Sequence, residues 1–142
     1  MSRIKKRDKG KPEGKVQAVD HRKSRLRFSF EFFDSSDPEV CPECFRDGFV
    51  QSFVGRLKNL SKWTVLEFFS ERSPALRAHP IDWEHTSRPK GFSALPSGFD
   101  SGTPYQFALS ANAHGRVHGF MVGDTFHVVW LDHDHAVYPG AD

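Results

Sequence analysis

No run of eighteen apolar residues occurs in the sequence, so no segment is suited to crossing a bilayer as a helix. The start is charged from Arg3 with no apolar stretch behind it, which argues against a secretory leader. The cytoplasm is the expected compartment, with no membrane partner. Cysteine is scarce: Cys41 and Cys44 are the only two, and so close a pair cannot brace a fold of 142 residues. The sequence also lacks a glycine-rich phosphate loop, a serine nucleophile elbow and an acid-rich two-metal pattern, so cofactor enzymes are disfavoured and no cofactor is expected. Tyrosine and tryptophan number two and three against fourteen phenylalanines. Such a phenylalanine-rich chain reads as core material rather than as a stacking platform for bases.

The length suits one domain whose core can form without crosslinks. Charge is divided unevenly along it. Residues 1–27 hold eleven Lys and Arg against three acidic residues, a net +8; the rest holds nine against fifteen, a net −6. A basic arm ahead of an acidic body suggests a polyanion partner, RNA or DNA or a ribosome, with Lys5, Lys6, Arg7, Lys9, Lys11, Arg22, Lys23 and Arg25 as the contacting side chains. A solubilising tail that touches nothing is the competing reading. Residues 1–24 lack apolar periodicity and are broken by Gly10, Pro12 and Gly14, so they read as a disordered arm, with residues 25–140 as one domain.

Along the body, Arg27 to Phe33 alternates with period two, which predicts a strand with Phe28, Phe30 and Phe32 on one face. Phe45, Phe49, Phe53 and Leu57, with Val50, Val54 and Leu60, recur at helical spacing. Ser61 is the expected N-cap of a second helix carrying Trp63, Leu66 and Phe69, so that the two helices form a hairpin. Prolines and glycines between Leu76 and Gly102 indicate loops, with a short strand around 91–95. Residues 104–111, 115–122 and 125–131 read as a meander of three strands, the last two joined by a Gly123-Asp124 turn. That turn predicts Met121 opposite Phe126, Gly119 opposite Val128 and Val117 opposite Trp130, an apolar face for the helices to cover. The other face carries Arg116, His118 and Phe120 near His127, and is expected to stay partly open, with His118 and His127 diagonal neighbours.

Five of the eight histidines fall within the last 29 residues. Imidazole exchanges protons near neutrality, so His118, His127, His133 or His135 beside Arg116 would suit phosphodiester cleavage without a metal: one as base, one as acid, the guanidinium balancing charge. Metal binding is a weaker alternative, through His114 with His118, through residues 132–135, or through Cys41 and Cys44.

The order of arm, strand, helical hairpin and meander, together with Gly115-Arg116-Val117-His118-Gly119 and Asp132-His133-Asp134-His135-Ala136-Val137-Tyr138, resembles the RelE/ParE superfamily of bacterial toxins. The resemblance implies an α+β fold, an N-terminal strand and helical hairpin packed on a small, mainly antiparallel sheet. It also implies roles for Arg116, His133 and Tyr138 in cutting messenger RNA, and an antitoxin partner. Asp134 stands where that family has arginine, and the body is acidic where ribosome-cutting members are basic. A RelE-like endoribonuclease is therefore the leading expectation from sequence. A non-catalytic protein- or nucleic-acid-binding module is the first alternative and a histidine-based metal-dependent hydrolase the second.

Overall fold

A computed structural model gives the fold, and the structure describes residues 20–40, 47–70, 76–96, 98–99, 101–109 and 115–138. The chain is α+β. Strand β1 (Arg27–Ser29) is followed by helices α1 (Phe49–Leu60) and α2 (Val65–Ser70), the two-residue strand β2 (His79–Pro80) and a 3-10 turn at Trp83–His85. The meander β3 (Pro104–Ala108), β4 (Arg116–Val122) and β5 (Thr125–Asp132) closes the chain. The strands form one sheet in the order β1-β5-β4-β3-β2. Among the described strands only β1 runs parallel to its neighbour, with Phe28 beside Phe126. The short edge strand β2 ends in Pro80, whose missing N–H suits an edge.

The first strand is shorter than its alternation predicts. After Ser29 the chain turns, the Phe33 N–H donating to Phe30 O at 3.1 Å, and the three phenylalanines part company. Phe28 packs on Phe126 and Phe30 on Phe53, while Phe32 joins Phe99, Phe120 and His127. Helix α1 turns Phe49, Phe53 and Leu60 of its expected stripe inward, but Val50 and Val54, expected beside them, face solvent, so the buried stripe is narrower than predicted; Phe45 lies outside the described residues. Ser61 is not the N-cap of the second helix. It ends α1, with its Oγ on Leu57 O, and Thr64 opens α2 through a capping box: Glu67 N–H donates to Thr64 Oγ1 at 3.1 Å, and Thr64 N–H to Glu67 Oε1 at 2.8 Å. That shift of start turns Val65 and Phe68 inward and leaves Leu66 and Phe69 exposed. Residues 91–95 form no strand, the chain bending at 93–95.

The meander forms in the expected order, and the turn sets the register for its first four pairs, Val122 with Thr125 through Gly119 with Val128. A bulge then intervenes: His118 pairs with Trp130 and Val117 with Leu131, which corrects the expected pairing of Val117 with Trp130. The extra residue, Val129, turns Trp130 to the opposite face and brings Leu131 to the helix side. Gly119 permits it, since a Cβ there would collide with the His127 carbonyl oxygen and approach the Phe126 ring.

The sheet is thus buried on both faces. One core lies under the helices, with Phe53, Phe68, Phe107, Phe126 and Leu131. The other, Val40, Phe120, Val129, Trp130 and Val137, is covered by Phe32, Trp83, Phe92 and Leu95. Residues 30–40 and 81–96 form that cover and are tied together by Arg88, whose guanidinium reaches Asp37 Oδ2 at 2.6 Å and Glu39 Oε1 at 2.6 Å. The second face is therefore closed around His118, Phe120 and Trp130, where a partly open surface was expected, and among the described residues stays exposed only at its turn end, at Val122. Loop residues without periodicity supply the apolar cover.

Candidate functional site

Two groups of residues compete for a functional role. The first is the polar cluster at the start of β4 and the end of β5. His118 lies inside the protein, and its orientation is fixed by a chain of hydrogen bonds. His79 Nδ1 sits 2.7 Å from Pro80 O, and a carbonyl only accepts, so Nδ1 carries the proton and Nε2 is an acceptor. Gln106 Nε2 donates to that nitrogen at 3.1 Å, which turns Gln106 Oε1 toward His118 Nε2 at 2.6 Å. His118 must then donate from Nε2, and its Nδ1 is left as a bare lone pair with no hydrogen-bond partner among the described residues. Burial, joined by the charges of His135, His79 and Arg116, lowers its pKa to about 3, so the ring is neutral at physiological pH.

Arg116 and His135 belong to the same group as His118, close enough to act on its charge. Arg116 is buried and donates from Nη1 to Gly115 O at 3.1 Å. Tyr138 is buried further along. Its hydroxyl accepts from Asp82 N–H at 2.6 Å and its ring meets His79 edge to face. His133 lies elsewhere, following Leu131 to the helix side, where its ring meets the edge of Phe49. His127 also stands apart, stacked on Phe120 with ring centres 5.1 Å from each other, and burial lowers its pKa against the opposing pull of Glu31. The bulge puts Trp130, not a neighbour of His127, across from His118. The expected set of six is thus divided. Arg116, His118 and His135 stay together, while Tyr138 works as a clamp on Asp82 and His127 and His133 sit among aromatic rings.

Asp132 organises the turn that carries His133 and His135. Its carboxylate accepts from Ala136 N–H and Val137 N–H, each at 2.8 Å, and burial raises its pKa in spite of those bonds. His118 itself is fully buried, with Trp130 against its ring and Gln106 on its Nε2. Sequence reasoning missed His79 and Gln106. The available signal was Gln106, a polar residue at a position of the Tyr105-Gln106-Phe107 strand that β4 covers.

No group of three or more His, Cys, Asp or Glu among the described residues is arranged to hold a metal ion. Cys41, Cys44 and His114 lie outside the described residues.

The second group is the basic segment. Arg22, Lys23, Arg25 and Arg27 are all exposed; Lys5, Lys6, Arg7, Lys9 and Lys11 lie outside the described residues. Backbone bonds hold the segment between α2 and the β4–β5 turn: Val65 N–H to Ser24 O, Leu26 N–H to Trp63 O and Arg27 N–H to Asp124 O. Arg22 is paired with Asp20 through two short bonds, which hold the Asp20 carboxyl down at about 2. Arg27 Nε lies 3.7 Å from Asp124 and is largely solvated. No described helix is long and apolar enough to cross a membrane. No family model, no curated protein and no solved structure matches the chain.

Proposed function

We propose that this protein is a non-catalytic nucleic-acid-binding module that engages its partner through the basic segment. One contrast carries the reading. The cationic side chains Arg22, Lys23, Arg25 and Arg27 face solvent, whereas Arg116, His118 and His133 are buried. Residues 1–19 add seven more Lys and Arg in sequence, so the polyanion contact draws on both stretches. The test is anisotropy of a labelled single-stranded RNA with the full chain and with a chain lacking residues 1–19, at about 50 and 200 mM salt. Binding that weakens steeply with salt in the full chain, and weakens again on truncation, is expected. Affinity indifferent to both would refute the reading.

The grouping of Arg116, His118 and His135 favours a second reading, RNA cleavage by a RelE-like ribonuclease with an antitoxin partner. It requires the buried His118 and Arg116 to become accessible to RNA. Cut fragments from labelled RNA, absent with Arg116→Ala, would establish it; intact RNA with and without ribosomes would dispose of it.

A further inference from the structure

An open cleft of about 370 Å³ lies beside the basic segment, walled by Phe69 and Tyr105 with Thr103 and Met121. The Phe69 and Tyr105 rings meet at 63° with centres 5.0 Å apart, and Phe69 is exposed because the α2 capping box turns Phe68, not Phe69, into the core. Leu66, one helical turn before Phe69, extends the apolar surface on the α2 side. Both sides of the cleft are fastened to the segment that carries the positive charge. On the α2 side, Leu66 N–H donates to Arg22 O at 2.9 Å, and Phe69 follows one turn later. On the sheet side Met121 runs into the β4–β5 turn, where His21 packs so closely on Gly123 that a Cβ there would sit 3.1 Å from its Nε2. Residues 20–27 set Arg22, Lys23, Arg25 and Arg27 against Asp20 alone.

Two aromatic rings in edge-to-face contact, one of them exposed, with a thioether beside them and a cationic strip nearby, suit one chemistry. An unstacked nucleobase offers a flat π-face attached to an anionic phosphodiester, and the two halves of the surface answer the two halves of a nucleotide. A duplex, whose bases are already stacked inside, offers only the phosphates. A second aromatic group, Phe32, Phe99, Phe120 and His127, has Glu31 acting on His127 and is the wrong sign for a phosphate.

We infer that the Phe69–Tyr105 cleft receives an unpaired base of a single-stranded nucleic acid whose backbone lies along residues 22–27. The inference rests on the nucleic-acid reading above and adds strand specificity to it. The experiment is anisotropy with the full chain and four labelled 12-mers: single-stranded RNA, single-stranded DNA, duplex DNA, and a single strand with abasic sites replacing its bases. Phe69→Ala is expected to lower affinity for both single strands about tenfold, in the range for loss of one stacked base, with the salt slope unchanged. Duplex affinity should not move, and the abasic strand should bind wild type and Phe69→Ala alike. Phe69→Trp, which keeps a ring and answers any concern about folding, should bind single strands as well as wild type. Lys23→Gln with Arg25→Gln should weaken all four probes and flatten the salt dependence. Equal single-strand affinity for wild type and Phe69→Ala overturns the cleft while leaving the arm in place. No effect of the Lys23 and Arg25 changes overturns the placing of the backbone along residues 22–27, and affinity of the full chain that is indifferent to salt overturns the nucleic-acid reading itself.

Discussion

A buried imidazole that cannot be protonated makes stability depend on pH in a defined direction. His118 is held to a folded pKa of about 3, while in the unfolded chain it returns to the ordinary 6.5. Below 6.5 the unfolded state therefore binds the proton first, and stability falls as pH drops, by about 1.4 kcal/mol per unit within the window down to 3. Above 6.5 this contribution is complete. Urea midpoints measured between pH 7 and 5 should fall for the wild type and flatten for His118→Gln. The difference between the two isolates position 118 from the other titrating groups. Gln106→Leu acts through the same chain of bonds: it strands the His118 Nε2 proton without an acceptor, and an unsatisfied buried donor costs about 1–3 kcal/mol. The urea midpoint should fall with the slope unchanged.

Among the elements, α2 and the β4–β5 ribbon show what local sequence encodes and what it does not. The Thr64-Val65-Leu66-Glu67 capping box is written in the sequence, and reading it in place of Ser61 would have put Phe68 in the core and Phe69 outside. Thr64→Ala should cost about 1 kcal/mol in chemical denaturation. The ribbon is different. Its turn and first four pairs follow from Gly123-Asp124, whose glycine adopts a φ of 62°. The bulge does not follow, because no residue type marks it except Gly119, whose importance lies in a carbonyl across the strand. That one-residue slip placed Trp130 instead of Val129 across from His118 and carried His133 to the helix side, an outcome set by register and not by composition. Gly119→Ala has nowhere to place its methyl group unless the bulge rearranges. A loss of about 1–3 kcal/mol or more is expected, read as a lowered melting temperature.

At the scale of the whole molecule, the α+β class and the order of elements were legible because strand and helix periods are local. The closure of the second face was not, since Trp83, Phe92 and Leu95 sit in aperiodic loops and reach Trp130 and Phe120 only across long sequence separations. Charge, by contrast, was legible throughout, as it needs no register: net +8 in residues 1–27 against −6 beyond. Where that division serves binding, the described end of the arm should influence affinity without supporting the fold. Lys23, Arg25 and Arg27 are exposed, and among the described residues only Arg27 of the three has a nearby carboxylate, at 3.7 Å in Asp124. Exposed pairs of this kind contribute about 0–1 kcal/mol. Replacing all three with glutamine should therefore leave the urea midpoint close to that of the wild type. Each phosphate that the protein ceases to neutralise takes about 0.7 off the slope of log affinity against log salt on a single strand, so the triple variant should flatten that slope by about 2. A slope that stays steep would move the binding surface to residues 1–19, and a midpoint that falls sharply would make these side chains part of the fold.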